Sequence, residues 1–163
     1  MPYLRTSIET YFHGERVEMI AFLAFAAVLI IASIVLWTTR DAFARPLAIV
    51  LFASALVSCS TAIPLLLRDG PNKQALLQQL EQGNARAMSD ELARMEAVVR
   101  NYPYYRYLFV AAILAAAVMA LFFRNATTLG VGVGLLVFGA TGFVVDHYSQ
   151  QRAEVYIEQL KSA

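Results

Sequence analysis

Cysteine is nearly absent from this chain: Cys59 is the only one in 163 residues. A single thiol excludes an intrachain disulfide framework and a paired-cysteine redox centre. Charge is scarce as well, at 15% of residues with a formal net of +1, against a soluble average of about 25%. The charges form no basic run or stripe, so the pattern suits no nucleic acid partner. No G-x-S-x-G, E-x-x-H or H-x-x-x-H occurs, which removes the nucleophile elbow and the usual helical metal motifs. Cys59 has no basic neighbour to lower its pKa, so nothing supports thiol catalysis. What the chain has in abundance is apolar sequence: 59% hydrophobic residues and a mean hydropathy of +0.56. That combination points to the membrane.

A helical span needs about 20 apolar residues. Four charge-free runs meet that need, at 19–37, 47–67, 107–123 and 129–145. The first follows Glu15 and Glu18 and is too long for a cleaved signal peptide. With four spans the N-terminus, the 68–106 connection and the C-terminus share one side. That side holds every Lys and Arg except Arg40, Arg45 and Arg124, so the positive-inside rule puts both termini in the cytoplasm. The outer links, "TTRDAFAR" and "RNATT", are too short to form a domain.

Three helical pieces are expected to meet at the cytoplasmic side. Thr6 and Glu9 have capping-box spacing, and Ile8, Tyr11 and Phe12 follow as an apolar stripe suited to a short interfacial helix. Gly14 marks a bend into the first span. Residues 71–102 read as an amphipathic hairpin. Leu76, Leu77 and Leu80 line one arm; Leu92, Met95 and Val99 line the other, with Ser89 as N-cap and Asp90–Arg94 and Glu96–Arg100 as i,i+4 pairs. "NYPYYRY" at the third span and Trp37 at the other side read as aromatic belts. Beyond Val145 the helix continues as 146–161. Asp146, Ser149, Ala153 and Tyr156 share one face; His147, Gln151, Glu154 and Glu158 share the next.

Candidate residues concentrate in that layer. Glu18, Arg94, Asp146 and Arg152 read as a charge network at the lipid edge, where ionic side chains need partners or water; the same residues are the ones a proton relay would use. His13, Glu9, His147, Glu154 and Tyr156 form a candidate partner or ligand face. The two histidines are weak candidates for metal, and no cofactor is expected. Ser60, Thr61 and Pro64 mark a kink or cavity in the second span, because Pro64 leaves the Ser60 carbonyl without its donor. Gly130 and Gly134, in GxxxG spacing, favour close helix packing within the bundle or between copies.

The chain therefore reads as one all-α membrane domain over 1–163: a four-helix bundle with a cytoplasmic cap made of the hairpin and the extended C-terminal helix. Its expected place is the inner (plasma) membrane, with lipid and either a protein partner or a second copy around it. The leading functional expectation is a non-enzymatic interaction protein, either a small subunit of a membrane complex or an immunity-like partner of a membrane-active protein. The alternatives are a small oligomeric channel or transporter, and a metal-dependent or lipid-processing enzyme.

Overall fold

The computed structural model describes residues 2–162, except the side chains of Pro2 and Ala85. The described residues are almost entirely helical, with no strand. Five helices follow one another: α1 Pro2–Thr38, α2 Ala44–Glu81, α3 Ala85–Val99, α4 Tyr102–Phe122 and α5 Ala126–Lys161. Four stretches are helical, long and apolar enough to cross a membrane, centred on α1, α2, α4 and α5. The chain is thus a multi-pass membrane protein by length and composition.

The helices are longer than their apolar runs. A helix of 37 residues such as α1 spans about 56 Å at 1.5 Å per residue, well beyond a hydrocarbon core of about 30 Å. The excess projects at one end. There the first turns of α1, the last turns of α2 and α5, the start of α4 and the whole of α3 gather into a polar layer, joined by contacts such as Arg5–Glu81 and Lys161–Glu96.

Several local expectations are corrected here. Helix α1 starts at Pro2, upstream of Thr6, so Thr6 lies inside the helix and not at its N-cap. The N-terminal piece is no separate interfacial helix, and the chain stays helical through Gly14. The first arm of the 71–102 hairpin is the end of α2, which runs through Pro64 and Pro71 without a break. Proline costs a helix one hydrogen bond and some steric room, and the flanking residues here supply enough intrahelical bonds to continue.

The turn that ends α2 is specified locally. Gly83 takes φ +70°, a conformation open to glycine at low cost. Its N–H donates to the Leu80 carbonyl and the Asn84 N–H to that of Gln79, at 3.1 Å each, the two bonds of a Schellman motif. Asn84 then caps α3, its Oδ1 accepting from the Arg86 N–H at 3.0 Å, so Ser89 lies inside the helix. Asn125 caps α5 in the same way, accepting from the Thr128 N–H at 2.8 Å. Asp41 accepts from the Phe43 and Ala44 N–H groups at 2.7 and 3.1 Å and opens α2. At this end, opposite the polar layer, the Arg45 guanidinium lies over the Trp37 ring, 5.7 Å from its centroid.

Two hairpins, α1–α2 and α4–α5, make the bundle, joined mainly by α2 against α5. The glycines of α5 allow both contacts. A Cβ at Gly130 would stand 2.2 Å from the Phe43 carbonyl oxygen, and one at Gly134 2.6 Å from Val50 Cβ, so this pair seats α2 within the bundle. Gly132, Gly139 and Gly142 face α4, toward Ala116, Ile113 and Phe109. Helix α4 packs on α5 and makes no comparable contact with α1 or α2; Ala116 is its one buried residue.

Gly130→Ala should lower thermal stability in detergent by about 1–3 kcal/mol, because backbone must move to admit the methyl group. Gly70→Ala, in α2 with nothing within 4 Å of its Cβ position, should be neutral or stabilising by up to about 1 kcal/mol. Equal losses at both positions would contradict the α2–α5 contact.

Candidate functional site

Where α4 stands off from α1 and α2, a cavity of about 480 Å³ is left, bounded by α1, α2, α4 and α5 and closed at the polar end by α3. Its membrane portion is apolar and aromatic, with Phe22, Phe25 and Leu29 from α1, Phe109 from α4 and Phe138 from α5. Phe109 and Phe138 meet edge to face at 5.6 Å. Ser54, Ser58 and Thr61 line its α2 wall. Each of these hydroxyls donates to a carbonyl of its own helix: Ser54 to Val50 at 2.7 Å, Ser58 to Ser54 at 2.9 Å, Thr61 to Val57 at 3.0 Å. Such back-bonding removes the cost of a hydroxyl in lipid and leaves its lone pairs for a guest.

The polar end of the cavity is built on a buried aromatic pair. Tyr11 of α1 stacks on Tyr156 of α5, ring centroids 4.3 Å apart and 9° from parallel. Around them pack Leu4, Ile8, Phe12, Leu76, Met95 and Leu160, so the apolar faces of α1, α2, α3 and α5 share one small core. Both phenols keep a polar contact: Tyr11 donates to Glu15 Oε1 at 2.7 Å, and Tyr156 to Glu91 Oε1 at 3.3 Å. Burial pushes both phenols, and that of Tyr102, above their ordinary range, with nearby carboxylates such as Glu15 and Glu91 adding to the effect.

The four network candidates fall into three separate pairs. Arg152 donates to Glu18, which also accepts from Ser149. The Arg152 side chain reaches across Gly14, where a Cβ would lie 2.9 Å from its Cδ and Nε; this passage, not a bend, is what Gly14 provides. Arg94 holds Glu91 through two bonds of 2.8 Å. That bidentate contact raises the guanidinium pKa against the effect of burial. Asp146, its side chain 5% exposed, faces Arg106 Nε at 3.6 Å, while Arg106 donates to Gln150 from another nitrogen. The i,i+4 pairs give way to other partners: Arg94 takes Glu91 in place of Asp90, and Glu96 takes Lys161 at 2.9 Å.

Glu15 is the exception. It makes no ion pair among the described residues; it is half-buried, accepts from Tyr11 and lies against the buried Asp69 carboxyl. Asp69 is itself paired with the adjacent Arg68 at 3.2 Å. Desolvation, with the Asp69 charge adding to it and the Tyr11 hydrogen bond opposing it, pushes the Glu15 carboxyl up to about 7.

The candidate partner face is not one face. His13, His147 and Glu154 are exposed, and Glu9 is half-buried beside Arg5 at 3.2 Å. Tyr156 is 1% exposed and belongs to the core. Among the described residues no three His, Cys, Asp or Glu side chains are grouped to hold a metal ion. Ser60 points outward, bonded to the Val57 carbonyl at 2.8 Å, and Pro64 is also exposed; of the kink residues Thr61 alone lines the cavity.

Sequence reading missed Glu15, Asp69, Glu91 and Arg106. A signal existed for Glu91, which lies one turn before Met95 on the apolar stripe of α3, whereas Asp90 points away. Asp69 had none, since its burial depends on how far α2 continues past Gly70. The chain matches no family model, no curated protein and no solved structure.

The raised Glu15 carboxyl has a stability consequence. In the folded protein it keeps its proton up to about pH 7, whereas its ordinary value is 4.5. Stability should therefore fall as pH rises from about 4.5 to about 7 and level off above. Glu15→Gln should remove that slope and raise stability at alkaline pH by on the order of 1–3 kcal/mol. Thermal unfolding in detergent across this range checks both; an unchanged slope in the variant would exclude Glu15 as its source.

Proposed function

We propose that this chain is a small, non-enzymatic carrier of the inner membrane, with both termini in the cytoplasm, that takes up a solute in the cavity between its four spans. The observation that carries this reading is the cavity itself. Its volume of about 480 Å³ lies within the about 300–1,000 Å³ typical of ligand sites. Its lining runs from aromatic and aliphatic at membrane depth to ionic at the polar layer, which suits an amphipathic guest entering head-last from the lipid or tail-first from the cytoplasm. Movement of α4 against the α1–α2 hairpin fits this use, since α4 is held on one side only, by α5.

A second reading, an interaction protein serving a membrane complex or neutralising a membrane-active partner, is supported by a different feature. A shallow groove on the polar layer is lined by Val99, Arg100, Glu154, Ile157, Glu158 and Lys161, mixing apolar floor with charges of both signs, as protein contacts do. The metal-dependent enzyme reading has no ligand group behind it among the described residues.

Access to the cavity separates the two. Ser58→Cys, made together with Cys59→Ala, should react with a membrane-impermeant thiol reagent added at the face carrying the termini, and not with reagent added at the opposite face. A thiol at 58 that stays unreactive from both faces contradicts the carrier reading. Labelling from the outer face alone would contradict the proposed sidedness.

A further inference from the structure

The charged groups at the polar end of the cavity are not all paired, and the one left over is a carboxyl. Two arginines line it, Arg68 and Arg94, and a third, Arg106, faces the lining Asp146; each is engaged, Arg68 by Asp69, Arg94 by Glu91 and Arg106 by Asp146. One cavity-lining carboxyl, Glu15, has no cationic partner among the described residues. An anionic head group entering here would have to draw an arginine off its carboxylate, leaving a buried acid unpaired at a cost of several kcal/mol. A cationic head group breaks no ion pair: it meets Glu15, with the Asp146 carboxyl lining the same cavity. The walls above are aromatic, with Phe22, Tyr102, Tyr105 and Phe109 all lining the space, and ring faces attract a desolvated cation by about 2 kcal/mol or more.

We propose that the cavity takes a lipophilic organic monocation, an ammonium- or phosphonium-type amphiphile, whose charge replaces the proton on Glu15. This rests on the carrier reading and narrows it to a substrate class. The exchange is balanced in charge: one cation enters as one proton leaves the Glu15–Asp69 pair, so the polar end keeps the same net charge in both states. Every element packed around Glu15 bears on this exchange. Tyr11 on its own helix donates to it; Asp69 of α2 opposes its ionisation, with Arg68 beside that acid; Arg94 of α3 favours ionisation but is held by Glu91. Tyr102 of α4 and Tyr156 of α5 approach it as neutral phenols, and Asp146 and Arg152 of α5 stand further along, in their own pairs. With the acid poised at about 7, proton and organic cation compete near neutrality.

Tetraphenylphosphonium and tetraphenylborate, equal in shape and opposite in charge, are the probes. Binding is measured on the full chain in lipid nanodiscs, with empty discs subtracted. The phosphonium should bind at least about tenfold more tightly than the borate, and its affinity should fall by about tenfold per pH unit below about pH 7. Glu15→Gln should weaken phosphonium binding by about tenfold or more and abolish the pH dependence. Asp69→Asn, which leaves Glu15 in place, should instead move the midpoint below that of the parent chain. Thermal unfolding of each variant reads folding separately. Equal or tighter borate binding, pH-independent phosphonium binding, or no phosphonium binding by a chain whose S58C variant is labelled as expected would each overturn the cation assignment while leaving the cavity reading intact. Failure of the S58C labelling would instead overturn the carrier reading beneath it.

Discussion

Charge cannot be spread along helices that face lipid, so the ionic side chains of this chain collect at the helix ends and must satisfy one another there. The Glu18–Arg152 contact applies that constraint between the two ends of the chain. Both side chains are largely covered, at 12% and 27% exposed, and they join the first and last helices of the chain. Removing one member of such a pair leaves a buried charge uncompensated, at about 3–5 kcal/mol, which is more than a surface pair contributes. The pair also gives a glycine a use: Arg152 passes over residue 14 on its way to Glu18, and a Cβ there would crowd its Cδ and Nε. Around this contact the Tyr11–Tyr156 stack and its apolar neighbours supply the burial that an ionic layer alone would lack.

Much of the architecture was legible in the residues. Four charge-free runs, uneven placement of Lys and Arg, and an α5 that keeps apolar positions after leaving the membrane all follow from composition and 3.6-residue periodicity. Helix boundaries were less legible. Pro71 and Gly70 are breakers by local propensity, yet α2 passes through both, because Leu76 finds a buried place between α1 and α5 and tertiary packing outweighs about 1 kcal/mol per glycine. Thr6 and Ser89 carry sound capping signals, but the helices are already under way upstream, so neither stands at an N-cap.

The candidate site divides along the same line. Residues such as Glu18, Asp146 and Arg152 could be singled out because each sits at the edge of an apolar run. Which of them pair was not legible: Glu18 takes Arg152, whereas Asp146 takes Arg106, which comes from α4. Glu15 was visible only as one more acid before the first span; its missing cation is a property of the assembled layer, in which every nearby arginine has been taken by something else. The cavity likewise depends on which face of α5 each glycine occupies, with Gly130 and Gly134 toward α2 and Gly139 and Gly142 toward α4, and spacing alone does not separate those two sets.

If mutual satisfaction of buried charge holds the polar layer together, the Glu18–Arg152 pair is the place to measure it. A double-mutant cycle of Glu18→Gln, Arg152→Gln and the two combined, read as thermal stability in detergent, isolates the coupling. The expected result is that each single variant loses about 3–5 kcal/mol and more than the double, so that the coupling is about 3 kcal/mol or more. Losses that simply add, with the double variant the least stable of the three, would contradict a structure organised around this contact.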